Sequence, residues 1–238
     1  MDVVMIRLDK YLADMGVGTR SEVKKYVKQG KISVDGQVVK SADIKIDIER
    51  QSVMYQGQLV GYEEFEYYML HKPAGVVSAT TDAKDKTVID LITDKKRKDL
   101  FPVGRLDKDT EGLLLITNDG DMAHRLLAPK KHVDKVYYAK IDGRVTEEDV
   151  IAFREGVSIG QGEVAKPAKL EILKADEISE IYVTIQEGKF HQVKRMFHTI
   201  GKEVLYLKRL SMGSLVLDES LPLGAYRKLT REELEDLC

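Results

Sequence analysis

Tryptophan is missing from this 238-residue chain, and cysteine occurs once, as Cys238 at its end. A lone terminal cysteine has no partner for an intrachain disulfide and no fixed neighbour to activate its thiol. The chain also lacks any apolar run approaching the roughly 20 residues that cross a bilayer, and its N-terminal residues do not form a secretory signal. We therefore expect a cytoplasmic protein without disulfides, thiol nucleophile or membrane association.

An excess of positive charge is also absent. Lys and Arg number 38 against 40 Asp and Glu, the formal net charge is -2 and the pI is about 6.3. This balance argues weakly against a nucleic-acid partner. The basic residues are nevertheless clustered, although a single such cluster most often marks a solvated face. The clusters are Arg20, Lys24, Lys25, Lys28 and Lys31; Lys95, Lys96, Arg97 and Lys98; and Lys130, Lys131, His132 and Lys135.

The length favours one sizeable domain and one small one, because domains commonly have about 100–150 residues. Residues 57–66, GQLVGYEEFE, contain glycines and acids without a periodic apolar pattern, which is typical of a linker. We predict a small domain over residues 1–60 and a larger catalytic domain over residues 61–238.

The small domain has the pattern of two helices followed by a hairpin. Thr19 and Glu22 have the spacing of a capping box, which predicts the start of the second helix. Apolar residues spaced three and four apart predict a packed side for each helix, and basic residues four apart predict a positive side for the second. Asp35-Gly36 between two β-prone runs predicts a two-residue hairpin turn.

A resemblance to the α-L RNA-binding module, named after the fourth protein of the small ribosomal subunit, covers roughly residues 5–50. It is carried by RLDKYLADMGVGTRSEVKKYVKQGKISVDGQVV. The resemblance implies that the basic cluster of the second helix binds RNA, and a purely structural adaptor domain is the alternative. The residues of this cluster are Arg20, Lys24, Lys25, Lys28 and Lys31.

In the larger domain, strand patterns outnumber helix patterns and are not separated by regular helical crossovers. This order predicts an α+β fold with a mixed, largely antiparallel sheet and flanking helices. The predicted strands are 67–71, 113–117, 136–141, 181–185, 204–210 and 215–217, and the predicted helices are 121–127, 146–155, 191–200 and 230–237.

One glycine-flanked loop carries several charged residues directly before a predicted buried strand. Loops fixed to a rigid scaffold are common sites of catalytic groups. Aspartates in such loops are also frequent turn formers or helix caps. From the residues alone, the structural interpretation of Asp107 and Asp109 is favoured.

The same stretch, GRLDKDTEGLLLITNDG, is similar to the catalytic-aspartate motif of the pseudouridine synthases that act on ribosomal RNA. HKPAGVVSATTD, KVYYAKI and EGKFHQVKRMFHTIGKEV extend the resemblance over nearly the whole chain. Within this group the chain is most similar to the ribosomal small-subunit pseudouridine synthase A family, which has an N-terminal α-L module. The resemblance implies a cofactor-independent isomerase that converts a uridine of ribosomal RNA to pseudouridine.

By this resemblance Asp107 is the nucleophile that attacks the target nucleotide, either at the sugar or at the base. A partly dehydrated carboxylate requires a nearby cation to stay ionised, and Lys194 is the candidate, at a position where related synthases often have arginine. Tyr137 is implied to lie beneath the uracil and to assist proton transfer. Arg105 is implied to fill the gap that the everted nucleotide leaves.

The histidines show no metal-ligand spacing with acids or cysteines, so we predict no metal. We expect a monomer that acts on small-subunit (16S) rRNA, alone or in a partial ribonucleoprotein particle, like the enzymes that modify uridine 516. Three alternatives stay open: a large-subunit synthase of the same branch, a non-catalytic rRNA-binding assembly factor, and a glycosidase using Asp107 and Asp109 as its pair. The small subunit is preferred because HQVKRMF lacks the paired arginine of the Arg-Gln-Ile-Arg-Arg form common in the sister enzymes.

Overall fold

The computed structural model describes residues 4–128, 132–160 and 162–237. Lys130, Lys131 and Cys238, singled out in the sequence, lie outside these ranges. The chain divides into two compact units, Met1–Glu66 with Thr93–Leu100, and Tyr67–Ile92 with Phe101–Cys238. Within the described ranges, every helix is too short or too polar to cross a membrane.

The first unit contains two helices, a two-stranded sheet and a four-stranded sheet. Its capping box is present, with the Glu22 amide donating to Thr19 Oγ1 and the Thr19 amide to Glu22 Oε2. The predicted hairpin turn is also present at Asp35-Gly36, where φ is positive at both residues. The elements are β1 Met5–Arg7, α1 Leu8–Asp14, α2 Arg20–Lys28, β2 Ile32–Val34, β3 Gln37–Val38, β4 Lys45–Asp47, β5 Val53–Tyr55 and β6 Gln58–Leu59, paired β1-β4 and β3-β2-β5-β6.

The boundary of this unit differs from the one predicted after residue 60. Tyr62 packs against the apolar core of the first unit, and its hydroxyl donates to Asp14 at 3.2 Å. Residues 93–100 also belong to this unit, and Arg97 forms an ion pair with Asp14 at 3.3 Å. The predicted linker therefore belongs to the first unit. Its composition did not indicate this, because long-range contacts leave no mark in local composition.

The second unit has one large sheet flanked by helices. The elements are β7 Tyr67–Lys72, a 3-10 turn Ile89–Leu91, β8 Phe101–Pro102, β9 Glu111–Thr117, α3 Gly120–Leu127, β10 Lys135–Asp142, α4 Glu147–Glu155, β11 Lys169–Lys174, β12 Ile178–Ile185, α5 Gln192–Thr199, β13 Glu203–Met212, β14 Leu215–Val216, β15 Tyr226–Lys228 and α6 Arg231–Leu237.

The strand order in the sheet is β11-β12-β10-β13-β9-β7-β15, with β14 beside β13 and β8 beside β9. Among the paired strands of the described chain, only β9 and β13 run parallel. The predicted α+β fold with a mixed, largely antiparallel sheet is confirmed.

Helix α5 is fixed to this unit by its apolar side. Val193, Met196 and Phe197 are buried, as their spacing predicts, and the Phe197 ring packs on Phe153 of α4 at 4.8 Å between centroids. Burying a large apolar side chain contributes about 1.5–3 kcal/mol. The polar side of α5 is thereby held in a fixed position, and Lys194 lies on it.

Candidate active site

The loop that leads into β9 is held in place by a short segment after β7. Ser78 Oγ donates to the Leu106 carbonyl at 2.8 Å and accepts from the Leu106 amide at 3.1 Å. The Gly75 amide donates to the Lys108 carbonyl at 2.7 Å, and the Thr110 amide to the Asp107 carbonyl at 3.1 Å. With Leu106 itself buried, the backbone on both sides of Asp107 is fixed.

Lys72 provides a second anchor for the same loop. It is fully buried, and the three N–H donors of its ammonium group are shared among four backbone carbonyls, those of Pro73, Asp107, Lys108 and Thr110, at 2.8–3.3 Å. Burial lowers the pKa of Lys72 to about 8, against the opposing charges of the nearby aspartates. Such a buried cation serves to organise backbone dipoles, and here those dipoles belong to the loop that carries Asp107.

The Asp107 carboxylate is paired with a cation and reaches the surface. Its Oδ2 lies 3.2 Å from Lys194 Nζ and its Oδ1 lies 3.6 Å from His191 Nε2. The side chain is 24% exposed, neither in bulk solvent nor enclosed in the core. Lys194 thus stands where the sequence prediction required a cation, within ion-pair distance of this carboxylate.

Lys194 also contacts a second carboxylate, Asp109 Oδ1, at 2.6 Å. Burial disfavours the charge of Lys194, but the hydrogen bond to Asp109 and the charge of Asp107 outweigh it and raise the pKa of Lys194 above its ordinary value. Both aspartates converge on one ammonium group. A glycosidase instead needs two carboxyl groups on either side of a scissile bond, so the pairing around Lys194 does not support that alternative.

A cleft opens beside Asp107, and its lining combines polar and apolar side chains. Tyr137 of β10 is buried to 93%, with 7% of its surface exposed, and lines this cleft together with Leu207 of β13. Arg105, which is exposed, stands at the same cleft. The four predicted residues Asp107, Tyr137, Lys194 and Arg105 therefore line one opening. Tyr138 points to the opposite side of the strand and donates to Glu180.

A stacked aromatic pair lies beside the same carboxylate. Phe190 and His191 have parallel rings 3.8 Å apart, and Phe190 is exposed. His191 has a left-handed backbone conformation, with φ of 48°, directly before α5. A non-glycine residue in this region carries strain of about 1–3 kcal/mol, and such residues concentrate at functional sites.

Lys72, His191 and Phe190 are not among the site residues predicted from the sequence. A lysine directly after the predicted buried strand 67–71 was the one available signal for Lys72, because a buried charge requires polar partners. For His191 the sequence carried no comparable signal.

The basic residues predicted to bind RNA are in the first unit. Arg20, Lys24, Lys25 and Lys28 are exposed along α2, whose other side buries Val23 and Val27, and Lys31 is half-buried beside the Tyr26 ring. No cluster of three or more His, Cys, Asp or Glu side chains suited to a metal ion occurs among the described residues.

Comparison with known proteins gives two family matches. Residues 66–199 match the model described as RNA pseudouridylate synthase, and residues 6–51 match the S4 domain. The chain is 51% identical to the uncharacterized RNA pseudouridine synthase YtzG of Bacillus subtilis, over 96% of this chain and 97% of the relative.

Two further relatives have names that specify a ribosomal subunit. The ribosomal small subunit pseudouridine synthase A of Haemophilus influenzae is 40% identical, with 98% of this chain and 99% of the relative covered. The ribosomal large subunit pseudouridine synthase B of Bacillus subtilis is 39% identical, with 98% of this chain and 96% of the relative covered. Overall identity therefore does not separate the two subunits.

Proposed function

The chain belongs to the RNA pseudouridylate synthase family, and from this membership we propose that it converts a uridine of small-subunit ribosomal RNA to pseudouridine. The activity is that of an isomerase: the bond from the ribose to N1 of uracil is broken and one from the ribose to C5 is formed, with no net change in atoms. The observation that carries the proposal is the position of Asp107 beside Lys194 at the cleft lined by Tyr137.

Asp107 is the nucleophile in this proposal. A carboxylate attacks in its ionised form, and partial burial would favour the neutral form unless a cation is near. Lys194 supplies that cation at 3.2 Å. His191, at 3.6 Å from the other carboxylate oxygen, can add a hydrogen bond or, when protonated, a second positive charge.

In this proposal Tyr137 contacts the uracil, and Arg105 fills the gap that the flipped nucleotide leaves in the RNA. The Tyr137 ring lines the cleft next to Asp107, where it can stack on the uracil, a contact that contributes about 1–3 kcal/mol in single-strand binding, and its hydroxyl can move a proton. Flipping a nucleotide out of an RNA helix costs a few kcal/mol. An exposed arginine at the mouth of the cleft can offset part of that cost by stacking and by binding phosphate.

The S4 domain provides a second RNA-binding surface. Its helix α2 presents cations on its exposed side and apolar residues on its packed side. Arg20, Lys24, Lys25, Lys28 and Lys31 are therefore proposed to contact phosphates of the folded rRNA or of a partial ribonucleoprotein particle.

The choice of the small subunit depends on the segment that begins α5. His191-Gln-Val-Lys-Arg195 lacks the adjacent arginine pair of the sister enzymes, and this segment contributes Lys194 to the Asp107 site. The chain is about equally identical to a small-subunit relative and to a large-subunit relative. The proposal for the small subunit therefore depends on this local difference in sequence.

An Asp107→Asn variant tests the catalytic assignment. We expect it to bind rRNA fragments as the wild type does but to form no pseudouridine, measured by nucleoside chromatography after digestion. Asp109→Asn is the matched control, because Asp109 contacts the same lysine but is 72% exposed; it should retain most activity. Normal turnover by Asp107→Asn would refute the nucleophile, and a wild type that binds rRNA without turnover would identify an assembly factor.

Mapping pseudouridines in total RNA from cells with and without the gene tests the substrate. We expect a single site in 16S rRNA to lose its modification, and the position corresponding to uridine 516 is the first to inspect. Loss of a site in 23S rRNA instead would assign the enzyme to the large subunit.

A further inference from the structure

A second cavity lies next to the Asp107 cleft and shares part of its wall. The cleft itself encloses about 60 Å³, and the adjoining cavity about 490 Å³. Small-molecule sites usually have volumes of about 300–1,000 Å³, and the adjoining cavity lies within this range. Arg105, Tyr137 and Lys189 line both spaces, and a nucleotide with its base at Tyr137 would extend into the second cavity.

Two of the cations that line this cavity are deeply buried. Lys135 is 7% exposed and Arg209 is 2% exposed. Lys135 Nζ donates to the Val133 carbonyl at 3.1 Å, and Arg209 Nε donates to the Leu113 carbonyl at 2.8 Å. Arg209 Nη2 is buried and has no hydrogen-bond partner within the described part of the chain.

No carboxylate forms an ion pair with either cation in the part of the structure that is described. Burial and the charge of Arg209 lower the pKa of Lys135, and the charge of the neighbouring Asp134, which accepts a hydrogen bond from Gln186, opposes this shift. Glu187, the one acid in the described lining, accepts hydrogen bonds from the Lys166 amide and the Gln192 side chain and lies 3.9 Å from Lys189. A buried charge without an ion-pair partner is costly to the folded state, so a bound anion would stabilise this arrangement.

We infer that the cavity lined by Arg105, Lys135 and Arg209 binds a phosphodiester group of the RNA strand adjoining the target uridine. The inference rests on the proposed function, because it takes the strand to run from the Tyr137 ring. Arginine presents a planar set of donors and lysine a point charge, and together they match the tetrahedral oxygens of a phosphate. A base or an apolar peptide would leave both charges uncompensated.

Removal of one cation from this cavity should weaken RNA binding without lowering the stability of the protein. Lys135→Met keeps the length and apolar character of the side chain but removes one of two neighbouring buried charges, so its melting temperature without anions should equal or exceed that of the wild type. Its RNA binding should lose one phosphate contact, which lowers the slope of log affinity against log salt by about 0.7 for a single strand. Lys135→Arg retains the charge and should retain the slope.

Lys140→Met is the matched control, because Lys140 lies on the same strand β10 but is exposed on its other face. Inorganic phosphate at millimolar concentration, against chloride of equal ionic strength, serves as the probe. We expect phosphate to raise the melting temperature of the wild type and of Lys140→Met saturably, and to leave that of Lys135→Met unchanged.

The inference is overturned if Lys135→Met keeps both the phosphate response and the salt slope of the wild type, or if the wild type shows no saturable response. Should Lys135→Met fail to fold, a phosphate titration of the wild type followed by NMR at the Lys135 and Arg209 side chains decides the question. Pseudouridine formation is measured on the same preparations. A wild type that is active but does not bind phosphate refutes the subsite alone, and one that binds phosphate but forms no pseudouridine refutes the proposed function.

Discussion

Lys194 contacts two aspartates, Asp107 and Asp109, and of these two Asp107 lines the cleft. Removing the ammonium group leaves Asp107 partly buried without its nearest cation. We expect Lys194→Met to lower the single-turnover rate of pseudouridine formation by roughly 100-fold, the usual effect of removing one preorganised electrostatic group. Lys194→Arg keeps a cation and should lose less. An unchanged rate in Lys194→Met would show that Asp107 does not depend on this pair.

Lys72 gives the activity a pH dependence of its own. With a pKa of about 8, its ammonium group loses a proton as the pH rises through that value. The neutral amine has no charge and one N–H donor fewer for the surrounding carbonyls. Activity should therefore fall above about pH 8. In the unfolded chain this lysine keeps its proton up to its ordinary pKa of 10.5. Between about pH 8 and 10.5 the unfolded chain therefore binds more protons than the folded chain. The contribution of Lys72 to the free energy of unfolding consequently rises with pH in this range.

The test of this prediction compares rate and stability over the same range of pH. The wild type should lose activity between about pH 8 and 9.5. Deprotonation of Lys72 should not lower its melting temperature over the same range. Lys72→Met removes the titrating group, so its low activity should not show this step. If Lys72→Met retained the same decline, the pH dependence would belong to another group.

At the level of elements, the contact between β9 and β13 depends on one glycine. Gly112 has φ of 105°, and a Cβ atom there would lie 2.2 Å from the Arg209 carbonyl oxygen and 2.6 Å from its nitrogen. Both neighbours are backbone atoms of the parallel partner strand. This close approach joins the strand after the Asp107 loop to the strand that carries Arg209.

Gly112→Ala should therefore destabilise the protein by about 3 kcal/mol or more, since the backbone strain alone costs about 1–3 kcal/mol and the clash adds to it. The free energy of unfolding in urea measures this loss. Gly120→Ala is the control, because Gly120 begins α3, has no positive φ, and a Cβ atom added there would have no non-neighbouring atom within 4 Å. This variant should stabilise the protein by about 0.4–1 kcal/mol. Equal stabilities of the two variants would contradict the steric argument.

Most elements were predictable because their signals are local. The predicted strands 67–71, 113–117 and 136–141 correspond to β7, β9 and β10 within one or two residues at each end, and predicted helices 121–127 and 191–200 correspond to α3 and α5. In the large sheet, strands β8, β11 and β15 were not predicted. Strand β11 has few buried residues and β15 has three residues without an apolar alternation, so their identity depends on pairing with a neighbour.

Across the whole molecule, the distribution of charge matters more than its sum. The net charge is -2, yet cations are concentrated along α2 and around the Tyr137 cavity. RNA binding should therefore weaken steeply with salt despite the negative net charge, because each phosphate contact releases counterions.

The Lys24→Ala, Lys28→Ala double variant measures the share of α2. We expect the slope of log affinity against log salt to fall by about 1.4–1.8, which corresponds to two phosphate contacts. Lys169→Ala, Lys174→Ala removes the same charge from β11, where both lysines already pair with acids, and should leave the slope unchanged. If both double variants behaved alike, only the overall charge would matter.

Local features could be predicted from the order of residues: the capping box at Thr19, the Asp35-Gly36 turn, the amphipathic side of α5, and a motif specific enough to indicate the family and Asp107. Each of these depends on residues within a few positions of one another, where spacing fixes geometry. Which charges meet depends on the fold. Lys72 reaches a carbonyl 38 residues away and Lys194 a carboxylate 85 residues away. The burial of Arg209, whose Nη2 has no hydrogen-bond partner among the described residues, also follows from packing. Local spacing holds no information on such distances, because they are set by how the sheet and helices pack.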